Sequence, residues 1–461
     1  MLKLPLLLSL SVASTTTTQA INFACDKAAL EDRVKGALIA STIGDALGRV
    51  TRSFESTHQV QKLYGEKGLT SLTKLAQGDW IYNASNSKIA LYTDNTVLAL
   101  STLEVLIEGR KRNHSPDDMS EAFARKLIDI FGPHQHLLDQ HYNFRGHNSL
   151  NIHAGKRLAG LLETKKDNPW WQESQQDKKP NYFAQESDSG ALMRAWPVGL
   201  IFPDSIDLVK QLVEEQTLLT HRNPIALAAS VALAVGVARA AEGLAAEEVV
   251  KQMAEAADDF VTSERRFKPG VKRMYTNFND AAHLIAQNKM YTGDMIRYAA
   301  AMAHSKVTSE KILGTSNKRQ ENDRSELGCL LGYKADDAVA AVVYIYLRHA
   351  HDLKGALIEG ANAGGRTALI ASLVGALVGA SNGFQQLKQQ GLNSELDVLE
   401  NIQGLYTIVG DFTALPEFNH ASPQLPSDAL EQSIFTNNLL KYGLGGGILG
   451  FGAYIAYKLW R

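Results

Sequence analysis

Five short motifs carry the residues best suited to chemistry in this chain. They are Gly44-Asp45-Ala46-Leu47-Gly48, Tyr92-Thr93-Asp94-Asn95-Thr96, Gly190-Ala191-Leu192-Met193-Arg194, Thr220-His221-Arg222-Asn223-Pro224 and Asn362-Ala363-Gly364-Gly365-Arg366-Thr367. Thr93, Asp94 and Asn95 offer a hydroxyl, a carboxylate and an amide, oxygen donors that suit at most one weakly held hard cation. Asp94 and Glu55 are the carboxylates available for acid or base work, and the sequence pairs neither with a second activated group. Asp45, in its glycine turn, is expected to cap a helix or accept a backbone bond. His221, just before Asn223-Pro224, reads as a helix-entry residue. Arg194 stands between ligand contact and packing, Met193 reads as core, and Gly190 as the residue that permits a turn. Five of the thirteen histidines, His134, His136, His141, His147 and His153, crowd into twenty residues. Their spacing matches no zinc pattern, so a solvated loop is expected there.

The elements that must position these motifs read as helix after helix. Helical composition or spacing covers Glu31 to Leu47, Thr96 to Lys111, Asp117 to Phe131, Leu150 to Thr164, Asp207 to Leu219, Pro224 to Ala241, Glu247 to Thr262, Asp280 to Gln287, Ala335 to His349 and Thr367 to Ala380. Sustained period-two alternation is absent, which predicts an all-α fold. Ile225 to Ala238 and Thr367 to Ala380 are apolar nearly all round yet short, which fits core helices better than membrane spans. Beyond Gly383 the composition turns toward Gln, Asn, Ser and Pro, and residues 385–440 are expected to form an extension or stalk.

Composition narrows the class. The chain has 461 residues, 47 Lys and Arg against 49 Asp and Glu, and 45% hydrophobic residues. A net charge of −2 makes nucleic acid an unexpected partner, and the apolar fraction excludes intrinsic disorder. Residues 1–20 read as a secretory signal, with Lys3 before an apolar run from Leu4 to Val12 and a small-residue cleavage site ending at Ala20. Residues 441–461 hold sixteen uncharged residues between Lys441 and Lys458, a helix of about 24 Å that is expected to cross a membrane of about 30 Å with snorkelling lysines. Together these place the chain in the secretory pathway or outside the cytoplasm, anchored at its C-terminus. Cys25 and Cys329 then either pair or remain two separate thiols.

In order and spacing the five motifs resemble the ADP-ribosylglycohydrolase family, over about Arg33 to Gly383. The resemblance implies an ADP-ribosylglycohydrolase-like helical domain at residues 26–384. It also implies two magnesium ions held between a Thr-Asp-Asp motif and a Gly-Gly-Asp-Thr-Asp-Thr motif, orienting the ribose of an ADP-ribosyl group for hydrolysis. The implied ligand-binding residues are Thr93, Asp94, Asn95, Ser189, Gly190, Arg194, Gly364, Gly365 and Arg366.

The sequence departs from that pattern at the metal ligands. Asn95 stands where the second Asp is expected, and the later motif reads Gly364-Gly365-Arg366-Thr367-Ala368-Leu369, without either aspartate or the last threonine. A further family carboxylate aligns with Arg52, or with Glu55 if the loop is shifted. Thr93, Asp94, Asn95 and Thr367 remain as residual metal candidates. One clear carboxylate facing two arginines repels a cation more than it holds one, so no resident cofactor is expected, with Mg2+ required only if the family activity survives. Three functions follow from the resemblance: a protein that binds ADP-ribose or a related nucleotide with lost or altered hydrolysis, an active hydrolase acting on ADP-ribosylated substrates, or a membrane-tethered interaction domain keeping only the fold. Arg366 is expected to pair with Asp94 in a fork, or to swing to a diphosphate.

Overall fold

Apolar residues at helical spacing build this chain from α-helices. The computed structural model describes residues 27–52, 54, 56–74, 81–82, 88–131, 187–221, 223–260, 291–305 and 332–415. The expected signal segment and membrane helix, both cysteines, Glu55, the histidine cluster and the expected helices 150–164 and 280–287 lie outside the described residues.

In chain order the helices are α1 (Lys27–Thr51), α2 (Thr57–Tyr64), α3 (Asp94–Arg112), α4 (Pro116–Phe131), α5 (Leu192–Ile201), α6 (Ile206–Leu218) and α7 (Pro224–Glu242). They continue with α8 (Ala246–Asp258), α9 (Thr292–Ala303), α10 (Ala335–Arg348), α11 (Leu353–Ala361), α12 (Thr367–Gln389), α13 (Asn393–Leu396) and α14 (Ile402–Thr413). Among the described residues the sheet content is one antiparallel pair of two-residue strands, Ile81–Tyr82 against Lys88–Ile89.

The two apolar segments are core helices. The side chain of Asn223 caps α7 by accepting from the Ile225 N–H at 2.9 Å, Pro224 opens its first turn, and Gly243 closes it at φ +90°. Both α7 and α12 are long and apolar enough to cross a membrane, yet 94% and 89% of their most apolar stretches are buried within the protein.

Helices α1 and α12 form the central pair, and small residues let their backbones meet. A Cβ on Gly44 would come within 2.2 Å of the Ala371 carbonyl oxygen, and one on Gly375 within 2.3 Å of that of Ala40. Ser41 and Ser372 share a buried hydrogen bond of 2.9 Å across the contact, and Thr367 donates to the Gly48 carbonyl at 2.8 Å. The Gly364-Gly365 motif therefore lies against the end of the Gly44–Gly48 motif.

The expected stalk needs correction in its first part. Residues 385–415 pack on the domain: Leu387 and Leu405 are fully buried, Phe412 is 1% exposed, and α14 lies on α1 and α3. The buried Glu395 accepts from the Ser71 hydroxyl and the Leu72 N–H, both at 2.7 Å. Ala90 exchanges backbone bonds with Val398 and Glu400. Apolar residues at helical spacing inside a polar composition carry this packing, and composition alone hid them.

Candidate functional site

Asp45 organises the start of α3. It is fully buried and accepts five hydrogen bonds, with Oδ2 taking the Thr93 N–H (2.8 Å), the Thr96 N–H (3.1 Å) and the Thr96 hydroxyl (2.8 Å). Oδ1 takes the Thr93 hydroxyl (2.7 Å) and the Asn95 side-chain amide (2.9 Å). Asp45 lies within α1 and not in a turn, and Thr93 is the N-cap of α3, so of the two readings the backbone-accepting one holds: Asp45 takes two of the N–H groups that a helix start leaves open. Burial pushes its carboxyl group up from the usual range, and the donors from Thr93, Asn95 and Thr96 pull against that rise.

This arrangement engages most of the residual metal candidates. The Thr93 hydroxyl donates to Asp45 while accepting from the Asn95 N–H at 3.2 Å, and the Asn95 amide faces Asp45. The Thr367 hydroxyl points to the Gly48 carbonyl. Asp94 is buried in the first turn of α3, and Arg52, at the end of α1, is exposed. Among the described residues, no three His, Cys, Asp or Glu side chains converge in a way that could hold a metal ion.

A second cluster forms where the Gly190 and Gly365 motifs meet. Asp188 Oδ1 accepts the His221 Nε2–H at 3.0 Å and the Gly190 N–H at 2.7 Å. A Cβ on Gly190 would lie 2.9 Å from that oxygen and 3.3 Å from the His221 ring, so this glycine provides close approach as well as a turn. His221 Nδ1 meets the Thr220 hydroxyl at 2.7 Å, and Arg194 Nη2 donates to the same hydroxyl. Arg194 also donates through Nε to the Gln216 side chain at 2.6 Å and through Nη2 to the Gln216 carbonyl at 3.2 Å. It is 5% exposed, and burial pulls its guanidinium down to about 10, with Asp188 acting in the opposite sense. Arg194 thus lies beneath the cluster as its support.

Arg366 departs from the expected fork with Asp94. Its Nη1 donates to Ser189 Oγ at 2.9 Å, and the Ser189 hydroxyl donates to the Gly332 carbonyl at 2.6 Å. Among the described residues, Arg366 makes no ion pair with Asp94. The turn that carries Arg366 uses Gly364 at φ +84° and Gly365 at φ +71°, with the Gly365 N–H donating to Phe54 at 3.2 Å. Asn362 fixes the base of this turn through paired 2.9 Å bonds with the backbone of Leu69.

Burial alone would raise the Asp188 carboxyl. The His221 hydrogen bond and charge, the Gly190 N–H and the Arg366 charge outweigh it and hold the group well below the usual carboxylate range. The structure thus brings Ser189, Gly190 and Arg366 together and gathers Thr93, Asn95 and Thr96 around the separate hub of Asp45, with Asp94 buried in the same helix turn. Asp188 was not singled out from sequence. The signal that could have found it is an acidic residue beside Ser189-Gly190, with a histidine available in another motif.

The family model for ADP-ribosylglycohydrolase matches residues 26–417, which decides the family. The chain belongs to the ADP-ribosylglycohydrolases. It is 23% identical to ADP-ribosylhydrolase ARH3 of Xenopus tropicalis over 394 residues, covering 81% of this chain and 95% of that protein. It is 24% identical over 357 residues to an uncharacterized protein of Archaeoglobus fulgidus, covering 76% and 88%. A solved ADP-ribosylglycohydrolase-related protein complex aligns over 84% of this chain and 99% of its own at 17% identity, with a TM-score of 0.47. As an ADP-ribosylglycohydrolase, the chain keeps a mostly helical domain over the described residues.

Proposed function

We propose that this ADP-ribosylglycohydrolase binds an ADP-ribosyl group in the family cleft and has lost magnesium-dependent hydrolysis. The observation that carries the reading is Arg366, a cation in the position of an expected ligand carboxylate, anchored to Ser189. The hub around Asp45 supports it, because Asn95 replaces an aspartate and directs its amide inward. Magnesium takes six oxygen ligands at about 2.1 Å and is held through carboxylates. Thr93, Asp94, Asn95 and Thr367 supply one carboxylate among them, so this donor set does not fit two dications, and no catalytic step is assigned to a metal. The Xenopus relative, an ADP-ribosylhydrolase by name, suggests an ADP-ribosylated substrate as the partner, here bound without turnover.

Calorimetric titration of the full chain with ADP-ribose, in magnesium and in chelator, tests the reading together with an assay for ADP-ribose release. Binding in both conditions without release is expected. Magnesium-dependent release would overturn it. Millimolar magnesium should leave the thermal midpoint unchanged, whereas the combined variant N95D/R366D/A368D/L369T should gain a magnesium response, because a ligand stabilises a fold by binding its native state. A lumenal, C-terminally tethered placement belongs to the same proposal. Protease protection of the full chain in sealed membranes checks it, and a soluble cytosolic chain would remove it.

A further inference from the structure

Asp188 and Arg366 flank Ser189 with unused bonding capacity of opposite sign. Oδ1 of Asp188 is filled by His221 and Gly190, while Oδ2 has no partner among the described residues, and the side chain is 39% exposed. A guanidinium carries five N–H donors. Arg366 directs one of them to Ser189, and the other four have no partner among the described residues. The two side chains form no ion pair with each other, although the charge of Arg366 is felt at Asp188. An acceptor and a fork, each with bonding capacity unfilled among the described residues, therefore stand on either side of Ser189 at a half-buried surface.

The supports beneath are rigid. Arginine can only donate, so the Thr220 hydroxyl accepts from Arg194 and meets His221 Nδ1 on its other side. That fixes the ring, and the ring fixes Asp188 Oδ1. Ser189, fully buried and bonded to Gly332, holds the near edge of the guanidinium.

We propose that Asp188 and Arg366 form a metal-free subsite for a ribose phosphate, in which the Arg366 fork takes the phosphate and Asp188 Oδ2 takes hydroxyl groups of the sugar. A planar fork matches two oxygens of a phosphate, and a carboxylate oxygen is a natural acceptor for a ribose hydroxyl. A bare anion gains Arg366 but is repelled by Asp188, and a bare cation meets the reverse. A ligand carrying hydroxyl donors beside a phosphate satisfies both groups. The inference rests on the nucleotide-binding reading above and names the part of the nucleotide that this pair would hold.

The test is calorimetry on the full chain in chelator, with ribose 5-phosphate, inorganic phosphate, ADP-ribose and adenosine as probes. Arg366→Ala and Asp188→Asn should each weaken ribose 5-phosphate and ADP-ribose at least tenfold and leave adenosine within twofold. Inorganic phosphate should separate the two roles: Asp188→Asn removes a repulsion and strengthens its binding, while Arg366→Ala abolishes it. Arg366→Lys keeps the charge without the fork and should recover only part of the loss. Thermal unfolding of each variant reports folding, and if Asp188→Asn does not fold, the Arg366 pair of variants decides. Unchanged ribose 5-phosphate affinity in Arg366→Ala would overturn the subsite even where ADP-ribose binds. If ADP-ribose fails to bind while ribose 5-phosphate responds to these variants, the subsite stands and the family ligand is wrong.

Discussion

Two aspartates in this chain have opposite fates. Asp45 is fully buried and receives five donors on its two oxygens, whereas the half-exposed Asp188 receives two donors on one oxygen and none on the other among the described residues. Both follow from the same rule, that a buried acceptor must be satisfied by the fold while an accessible one can wait for a ligand. The comparison separates structural from available carboxylates by counting unfilled oxygen atoms, a distinction that residue type and motif membership do not make.

The largest effect should come from emptying the saturated hub. Asp45→Ala leaves the N–H groups of Thr93 and Thr96 and two hydroxyls facing a void, and should cost about 3–5 kcal/mol. Urea denaturation at neutral pH measures it, and a loss below about 1 kcal/mol would erase the contrast with Asp188. Next in size is Gly44→Ala, beside Asp45. Its Cβ would press on the Ala371 carbonyl and should cost about 1–3 kcal/mol by parting α1 from α12, without removing any donor. A near-neutral result would show that the two helices do not fix the hub.

Asparagine variants sharpen the comparison through pH. The Asp188 carboxyl is held below its unfolded value of about 4, so its stabilising contribution is present above that pH and fades as the pH falls further. Asp188→Asn should cost about 1 kcal/mol at neutral pH, with the gap to the unmodified protein closing in acid. Asp45 has the opposite sign. Its carboxyl is raised by burial, so its contribution is fullest below about pH 4 and declines as the pH rises. The gap between the unmodified protein and Asp45→Asn should therefore narrow toward neutral pH. Stability curves from pH 3 to 7 check both slopes, and slopes of equal sign would break the distinction. The smallest effect is expected from Ser189→Ala, about 1 kcal/mol by thermal unfolding, because it removes one donor to Gly332 and one acceptor for Arg366.

Much of the fold was legible because helices announce themselves locally. The apolar runs at 225–238 and 367–380 give α7 and α12, and capping chemistry at Asn223-Pro224 marks where α7 begins. What escaped is what depends on meeting across the chain. Asp188 and His221 are 33 residues apart and Ser189 and Arg366 are 177 apart, and no local pattern couples them. The expected Arg366–Asp94 fork followed from charge, but Ser189 was the partner within reach. The packed segment up to residue 415 was lost for a different reason: its average composition is polar, while its few leucines and Phe412 all face one core.

The seam between α1 and α12 also governs how the turn that carries Arg366 can change. Glycine and alanine put main chain against main chain there, so the separation of the two walls is a gauge set by backbone and insensitive to the side chains mounted on either wall. A carboxylate can give way to a guanidinium at position 366 without moving the frame that holds it. The turn at 364–366 can exchange the sign of its charge while the spacing of the helices that carry it stays the same.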